Sequence, residues 1–249
     1  MLCGKPLLHK RATLFVVAAG LVITFAVAAL LVAFGVIPMN DPSRQDYPVR
    51  GVDVSEYQGK IDWQTLAGED ICFAYIKATE GASYTDPRFE DNFAQAATAG
   101  LRVGAYLFFS FESTGDRQAQ NFIRQVPKTA NALPPAVDVE LYGKFKENPP
   151  DPAIVRAELQ SLISALETAY GKKPVLYATA RSYKLYLEEN FPDCPVWIRN
   201  VWTSPSEVEW TFWQYTDKAR LNGYSGAENK IDLNVFSGTA ADFAKFAGG

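Results

Sequence analysis

The stretch 134-PPAVDVEL-141 reads as a short buried strand that carries two carboxyls. Side chains along a strand alternate between its faces, so Asp138 and Glu140 share one face while Val137, Val139 and Leu141 take the other. Two like charges side by side in an apolar run are costly unless something uses them. Working outward, similar runs rich in β-branched, aliphatic or aromatic residues recur at 51–54, 71–77, 102–109, 174–178, 195–199, 210–215 and 231–236, beside 136–140 itself. All read as strands.

Helical patterns lie between the early runs. Residues 152–170 are the clearest: Asp151 suits the N-cap, Pro152 suits the first turn, and Gly171 suits the stop, with Lys172, Lys173 and Pro174 after it. Ile154, Val155, Leu159, Leu162, Ile163, Leu166 and Tyr170 form its apolar stripe. Residues 87–99 repeat the scheme with Phe89 and Phe93 four apart, while 115–126 and 180–190 carry weaker helical patterns. Helices after the early strands and few after the late ones point to an α/β fold, a parallel barrel of about eight strands that becomes irregular towards its end. In such barrels chemistry gathers at the C-terminal ends of the strands.

The chain has 249 residues, with 5 Trp, 12 Tyr and 16 Phe, enough for one large core plus an appendage. The appendage is residues 13–37, which contain no charge and as a helix reach about 37 Å, enough to span a hydrocarbon layer of about 30 Å. Lys5, Lys10 and Arg11 precede it in a short basic segment, 1–12, so the positive-inside rule leaves the bulk of the chain outside the cytoplasm. A signal anchor fits this length better than a cleaved signal peptide, although Ala26-Val27-Ala28 would permit cleavage and secretion. Residues 38–48, with Pro38, Pro42 and Pro48, read as a linker to a domain over 49–249.

Residues 38–249 hold all 28 acidic residues and all but three of the 24 basic ones, a net charge of −7. That balance argues against nucleic acid as a partner. The only histidine is His9, so a histidine-ligated metal site and a Ser-His-Asp triad in the outer domain are excluded. Cys3 falls before the apolar segment; an oxidising compartment permits a Cys72–Cys194 disulfide, but the two read better as separately buried thiols. Chemistry is left to carboxylates, tyrosines, lysines and cysteines.

The polar residues inside or just after the strand runs are Asp53, Lys77, Glu80, Tyr106, Asp138, Glu140, Gln214 and Asp232. Several strands would thus deliver carboxylates into one cup. A pair of carboxyls in unlike environments is what glycoside hydrolysis needs, and Glu140 is the better acid because Asp138 beside it should raise its pKa. Tyr57, Tyr106, Tyr177, Trp197, Trp213 and Gln214 are candidate substrate-binding residues, as are Phe108 and Tyr215. Each has a plainer reading: most of the aromatics as core, Lys77 as a neutralising partner, Glu80 as a cap or pair, and Asp53 as a cap for a helix near 61–66.

The ordered set GVDVSEYQGKIDW, FAYIKATEG, GAYLFFSF, PAVDVE, PVLYA, WQYT and IDLNVF resembles the glycoside hydrolase family 25 muramidases over about residues 49–240. The resemblance implies a modified β/α barrel with helices missing near its end. It implies hydrolysis of the β-1,4 bond between N-acetylmuramic acid and N-acetylglucosamine in peptidoglycan, usually with retention, without metal or cofactor. It assigns Glu140 as proton donor, Asp138 as its partner, and Asp53 and Asp232 as the other cleft carboxylates. Two positions depart from the family pattern: Leu107 stands where a histidine often falls, and Arg199 follows Trp197-Ile198 where a small residue is usual. A monomer is expected. A chitinase-like glycosidase is disfavoured because Leu133 and Ala136 occupy two acidic positions of that signature, and a non-catalytic wall-binding protein is the alternative from another class.

Overall fold

The computed structural model describes residues 6–33, 40–129 and 131–248. The chain forms two compact units, Met1–Met39 and Asn40–Gly249. In the first, helix α1 (Pro6–Ala33) contains the apolar stretch Thr13–Val32, which is long and apolar enough to cross a membrane by length and composition. Cys3 and residues 34–39, including the end of the expected span and the start of the expected linker, lie outside the described residues.

The second unit is a closed barrel. Its strands are β1 (Arg50–Val54), β2 (Phe73–Glu80), β4 (Arg102–Phe108), β5 (Ala136–Val139), β6 (Val175–Thr179), β7 (Val196–Arg199), β8 (Phe212–Ala219) and β9 (Ile231–Phe236), with a two-residue β3 (Tyr84–Thr85) added to β2. Parallel pairing runs β1–β2–β4–β5–β6–β7–β8. β9 closes the ring antiparallel to both β8 and β1, so the barrel is not wholly parallel. The reversal has a consequence for the site. β9 delivers residues to the cup from its start, and Asp232 faces Asp53 across the seam.

Helices α2 (Trp63–Ala67), α3 (Phe89–Thr98), α4 (Gly115–Gln125), α5 (Pro152–Tyr170) and α6 (Ala180–Ser182, continuing as a π-turn to Leu187) follow the strands up to β6. No helix lies between β7 and β9. α5 forms because its ends are satisfied: Asp151 accepts from the Ala153 amide at 2.8 Å, and Gly171, at φ 69°, closes the other end on Glu167 O. Its buried stripe is Val155, Leu159, Leu162, Ile163 and Leu166. Ile154, expected in that stripe, is 63 % exposed, since its neighbour Val155 takes the inward position. Gly115 is where α4 crosses α5, and a Cβ there would stand 1.9 Å from the Glu158 carbonyl oxygen.

Alternation divides the apolar residues into layers. Val52, Ile76, Leu107, Val137 and Val139 face the helices, while Phe73, Tyr75, Ala136, Tyr177, Trp197 and Phe212 fill the barrel. Gly51 and Gly104 make room inside it: a Cβ would meet the Phe73 ring at 2.4 Å and the Tyr75 ring at 2.3 Å. A last helix, α7 (Ala240–Gly248), brings Phe243 and Phe246 against Phe236 and Phe212 and stops the end opposite the cup. The cup therefore has an aromatic floor.

Where helices are missing, the outer face of β7–β9 is covered by residues 40–49. Tyr47 packs on Trp210 and Trp213, Arg50 donates to Tyr215 Oη at 2.9 Å and to the Pro42 carbonyl, and Asn40 Nδ2 donates to Asn200 O at 3.2 Å. The stretch expected as a linker thus lies, from Asn40 onward, against the barrel and does the work of a helix. Cys194 is buried, but Cys72 is exposed because it precedes β2 rather than lying within it; both are free thiols.

Candidate active site

Eleven of the fourteen residues singled out from sequence line one cavity of about 200 Å³ at the C-terminal ends of the parallel strands: Asp53, Tyr57, Lys77, Tyr106, Phe108, Asp138, Glu140, Tyr177, Trp197, Gln214 and Asp232. The other three do not. Trp213 is buried on the outer face of β8, where its indole donates to Asn200 O at 2.8 Å, because Gln214 next to it takes the inward side. Glu80 stands on the rim and pairs with Lys77 at 2.8 Å. Residues three apart on a regular strand face opposite ways; a bulge between Lys77 and Thr79 brings these two together. Tyr215, like Trp213, points outward. A helix does need a cap near residue 62, but Asp62 supplies it and Asp53 is left for the cup.

Asp53 is held by a directed network. Gln214 Nε2 donates to its two oxygens at 2.9 and 3.1 Å, and Asn234 Nδ2 donates at 2.7 Å. The Asn234 amide cannot turn round. Tyr177 Oη donates to Gln214 Oε1 at 2.9 Å, and Trp197 Nε1, which can only donate, reaches Asn234 Oδ1 at 2.8 Å. Burial raises the Asp53 pKa, and the Asn234 and Gln214 donors pull it back. Asp232 has the weaker share, one contact from Gln214 at 3.3 Å. Burial and then the Asp53 charge lift it well above the ordinary carboxyl range. Of this pair Asp53 is thus the readier to ionise and Asp232 the readier to hold a proton.

On β5, burial and then Glu140 push Asp138 well above the ordinary range, and its Oδ1 is buried without a partner in the protein. Glu140 is half-buried, and burial raises its pKa, opposed first by the Arg199 charge. The sequence argument has Asp138 raising Glu140. In the fold the larger rise falls on Asp138, which lies deeper, while the Arg199 charge relieves Glu140.

The residues that carry the resemblance are thus assembled in space, and residues 52–224 match the sequence profile of glycosyl hydrolases family 25. The chain belongs to that family. It is similar to a family 25 glycosyl hydrolase of Bacillus anthracis of known structure, 48 % identical, with a TM-score of 0.80 over 85 % of this chain and 98 % of that one. YegX of Escherichia coli K12 is 33 % identical over 82 % of this chain and 75 % of its own. Lysozyme M1 of Streptomyces globisporus is 32 % identical over 78 % and 69 %. The protein is a glycoside hydrolase with the barrel of family 25.

Of the two departures from the family 25 pattern, Leu107 is fully buried in the layer between barrel and helices, so it leaves the cup unaltered. Arg199 matters more: tied to Asp217 at 2.5 Å, its charge acts on Glu140, Asp53 and Asp232. Ser55, Gln58 and Glu228, which line the cup, and Asn234, which braces Asp53, escape the sequence reading. Asn234 lies two after Asp232, the same alternation that marks Asp138 and Glu140, and a search for amides as well as acids on one strand face finds it. Glu228 lies before β9 and reaches the cup because Gly226 packs its backbone on Tyr57 and Gln58, where a Cβ would stand 2.1 Å from Tyr57 O. No sequence spacing signals that approach. Among the described residues no cluster of acids, cysteines and histidines suits a metal ion.

Proposed function

We propose that this protein is a peptidoglycan muramidase held at the outer side of the cytoplasmic membrane, cutting the β-1,4 bond between N-acetylmuramic acid and N-acetylglucosamine. The observation that carries the chemistry is the β5 pair: a half-buried Glu140 with a raised pKa beside a deeper carboxyl whose Oδ1 has no protein partner. Glu140, protonated, gives its proton to the leaving glycosidic oxygen as the C–O bond breaks. Asp138 is the group that meets the substrate next to the scissile bond, orienting an acetamido group or supporting the oxocarbenium charge. Ionised Asp53 adds negative potential beneath the sugar, with Asp232 and Gln214 holding it in place. Tyr57, Tyr106, Tyr177 and Trp197 shape the sugar site, Lys77 balances its charge, and Glu80 holds Lys77. The helix over Thr13–Val32, with Lys5, Lys10 and Arg11 before it, supports retention in the membrane with the barrel outside.

The test is mass spectrometry of borohydride-reduced soluble fragments after the full-length protein, in mild detergent, acts on isolated peptidoglycan. Reduced N-acetylmuramic acid ends, absent with Glu140→Gln, are expected. Reduced N-acetylglucosamine ends would place the cut at the other bond and overturn the assignment. The intact mass of protein recovered from membranes tests the anchor: loss of the first 28 residues or so would mean cleavage and release.

A further inference from the structure

Trp202 stands apart from the other tryptophans. It is 61 % exposed, whereas Trp63, Trp197 and Trp213 are buried. Among the described residues of the barrel unit, the exposed large aromatics are Tyr57, Tyr84 and Trp202; Tyr57 follows the C-terminal end of β1, Tyr84 is in the short β3 beyond the end of β2, and Trp202 follows the C-terminal end of β7. Tyr57 lines the cup, and the Tyr84 hydroxyl is engaged with Glu56 at 2.5 Å. Trp202 is left without an assignment.

Its loop is fastened to the cup. Asn200, just past β7, donates its amide to the carbonyl of Gln214, whose side chain holds Asp53. The Asn200 side-chain oxygen accepts from the Trp202 and Thr203 amides, and its carbonyl accepts from Trp213 and Asn40. A large apolar ring is thus presented on a braced turn beyond the cup end of β7, five residues past Trp197 of the cup's wall.

Resting on the glycan reading above, we propose that Trp202 is a sugar-stacking platform extending the cleft along the β7–β8 side, one that binds a ring of the glycan strand remote from the scissile bond. A sugar offers a neutral apolar face to an indole. A bilayer is the other surface that favours exposed tryptophan, but residues 200–214 contain Glu207 and Glu209 and no basic residue, which disfavours an anionic membrane. Remote binding of this kind distinguishes long substrates from short ones.

The experiment compares the full-length enzyme with Trp202→Ala and Trp202→Phe in detergent. Substrates are long peptide-free glycan chains and a short oligosaccharide of the same repeat. Trp202→Ala should raise KM on long chains about tenfold with little change in kcat, and leave the short substrate unaffected; Phe should restore most of the loss. Equal KM values on long chains would overturn the proposal. So would an equal loss on both substrates, which marks a folding role, or a loss seen only in phosphatidylglycerol proteoliposomes, which marks a membrane contact. If the wild type turns over no glycan, the reaction assignment fails separately. Sedimentation of Glu140→Gln with and without Trp202→Ala on insoluble glycan then decides: about tenfold weaker binding sustains the platform, equal binding removes it.

Discussion

The cup contains two pairs of carboxyls, and they are built differently. Asp53 and Asp232 meet across the antiparallel β1–β9 seam, where two amides feed hydrogen bonds to Asp53. Asp138 and Glu140 come from one strand end, and Asp138 Oδ1 is buried with no protein donor. Burial is the first cause of the raised pKa in all four. The difference lies in what the protein supplies afterwards. At the seam it provides hydrogen bonds in place of those water would have given, which favour a charge on Asp53. On β5 it leaves the demand open, which suits a pair whose partner is the substrate.

The largest effect should come from the open pair. Glu140→Gln keeps shape and hydrogen bonding but has no proton to give, and kcat should fall about a thousandfold, read as release of reducing ends. A fall of less than about tenfold would mean that Glu140 is not the acid and would break the contrast.

Next comes the solvated pair. Asn234→Ala removes the shortest donor to Asp53, so its pKa should climb further, because burial is then less opposed. With ionised Asp53 required, the acid limb of the kcat/KM profile should move to higher pH, with a loss of roughly tenfold or more below pH 5 and less above it. A uniform loss at every pH would assign Asn234 to folding alone.

The smallest effect is on stability. Asp138 binds its proton more tightly folded than unfolded, so its contribution is fully present below about pH 4 and is lost as pH rises towards the raised value. Asp138→Asn removes that loss. Thermal unfolding of the variant should be about 3 °C higher than wild type at pH 7, and the two should converge near pH 4. A lower midpoint at pH 7 would show that the carboxylate is sustained by the protein after all and that the pairs are alike.

Most of the barrel was legible in the sequence because local chemistry marks it. Asp151, Pro152 and Gly171 delimit α5, found at Pro152–Tyr170, since a helix end must satisfy its own amides and carbonyls within a few residues. The two-residue period of 136-AVDVE-140 places Val137 and Val139 on one face and Asp138 on the other, and the structure separates them so. The same period would have put Trp213 outside once Gln214 was placed within.

What sequence alone determined was therefore the set of strands, the early helices, the apolar N-terminal helix and the face on which each strand carries its acids. Those depend on periodicity and on contacts within a few residues. Tertiary structure decided the rest. It reversed β9 so that Asp232 opposes Asp53, wrapped residues 40–49 over strands that lack helices, and used a bulge to bring Glu80 to Lys77. It also aimed the Asn234 and Gln214 amides through Trp197 and Tyr177, and held Trp202 out into solvent. Each of these depends on groups far apart in the chain, and barrel closure, not local preference, brings them within reach.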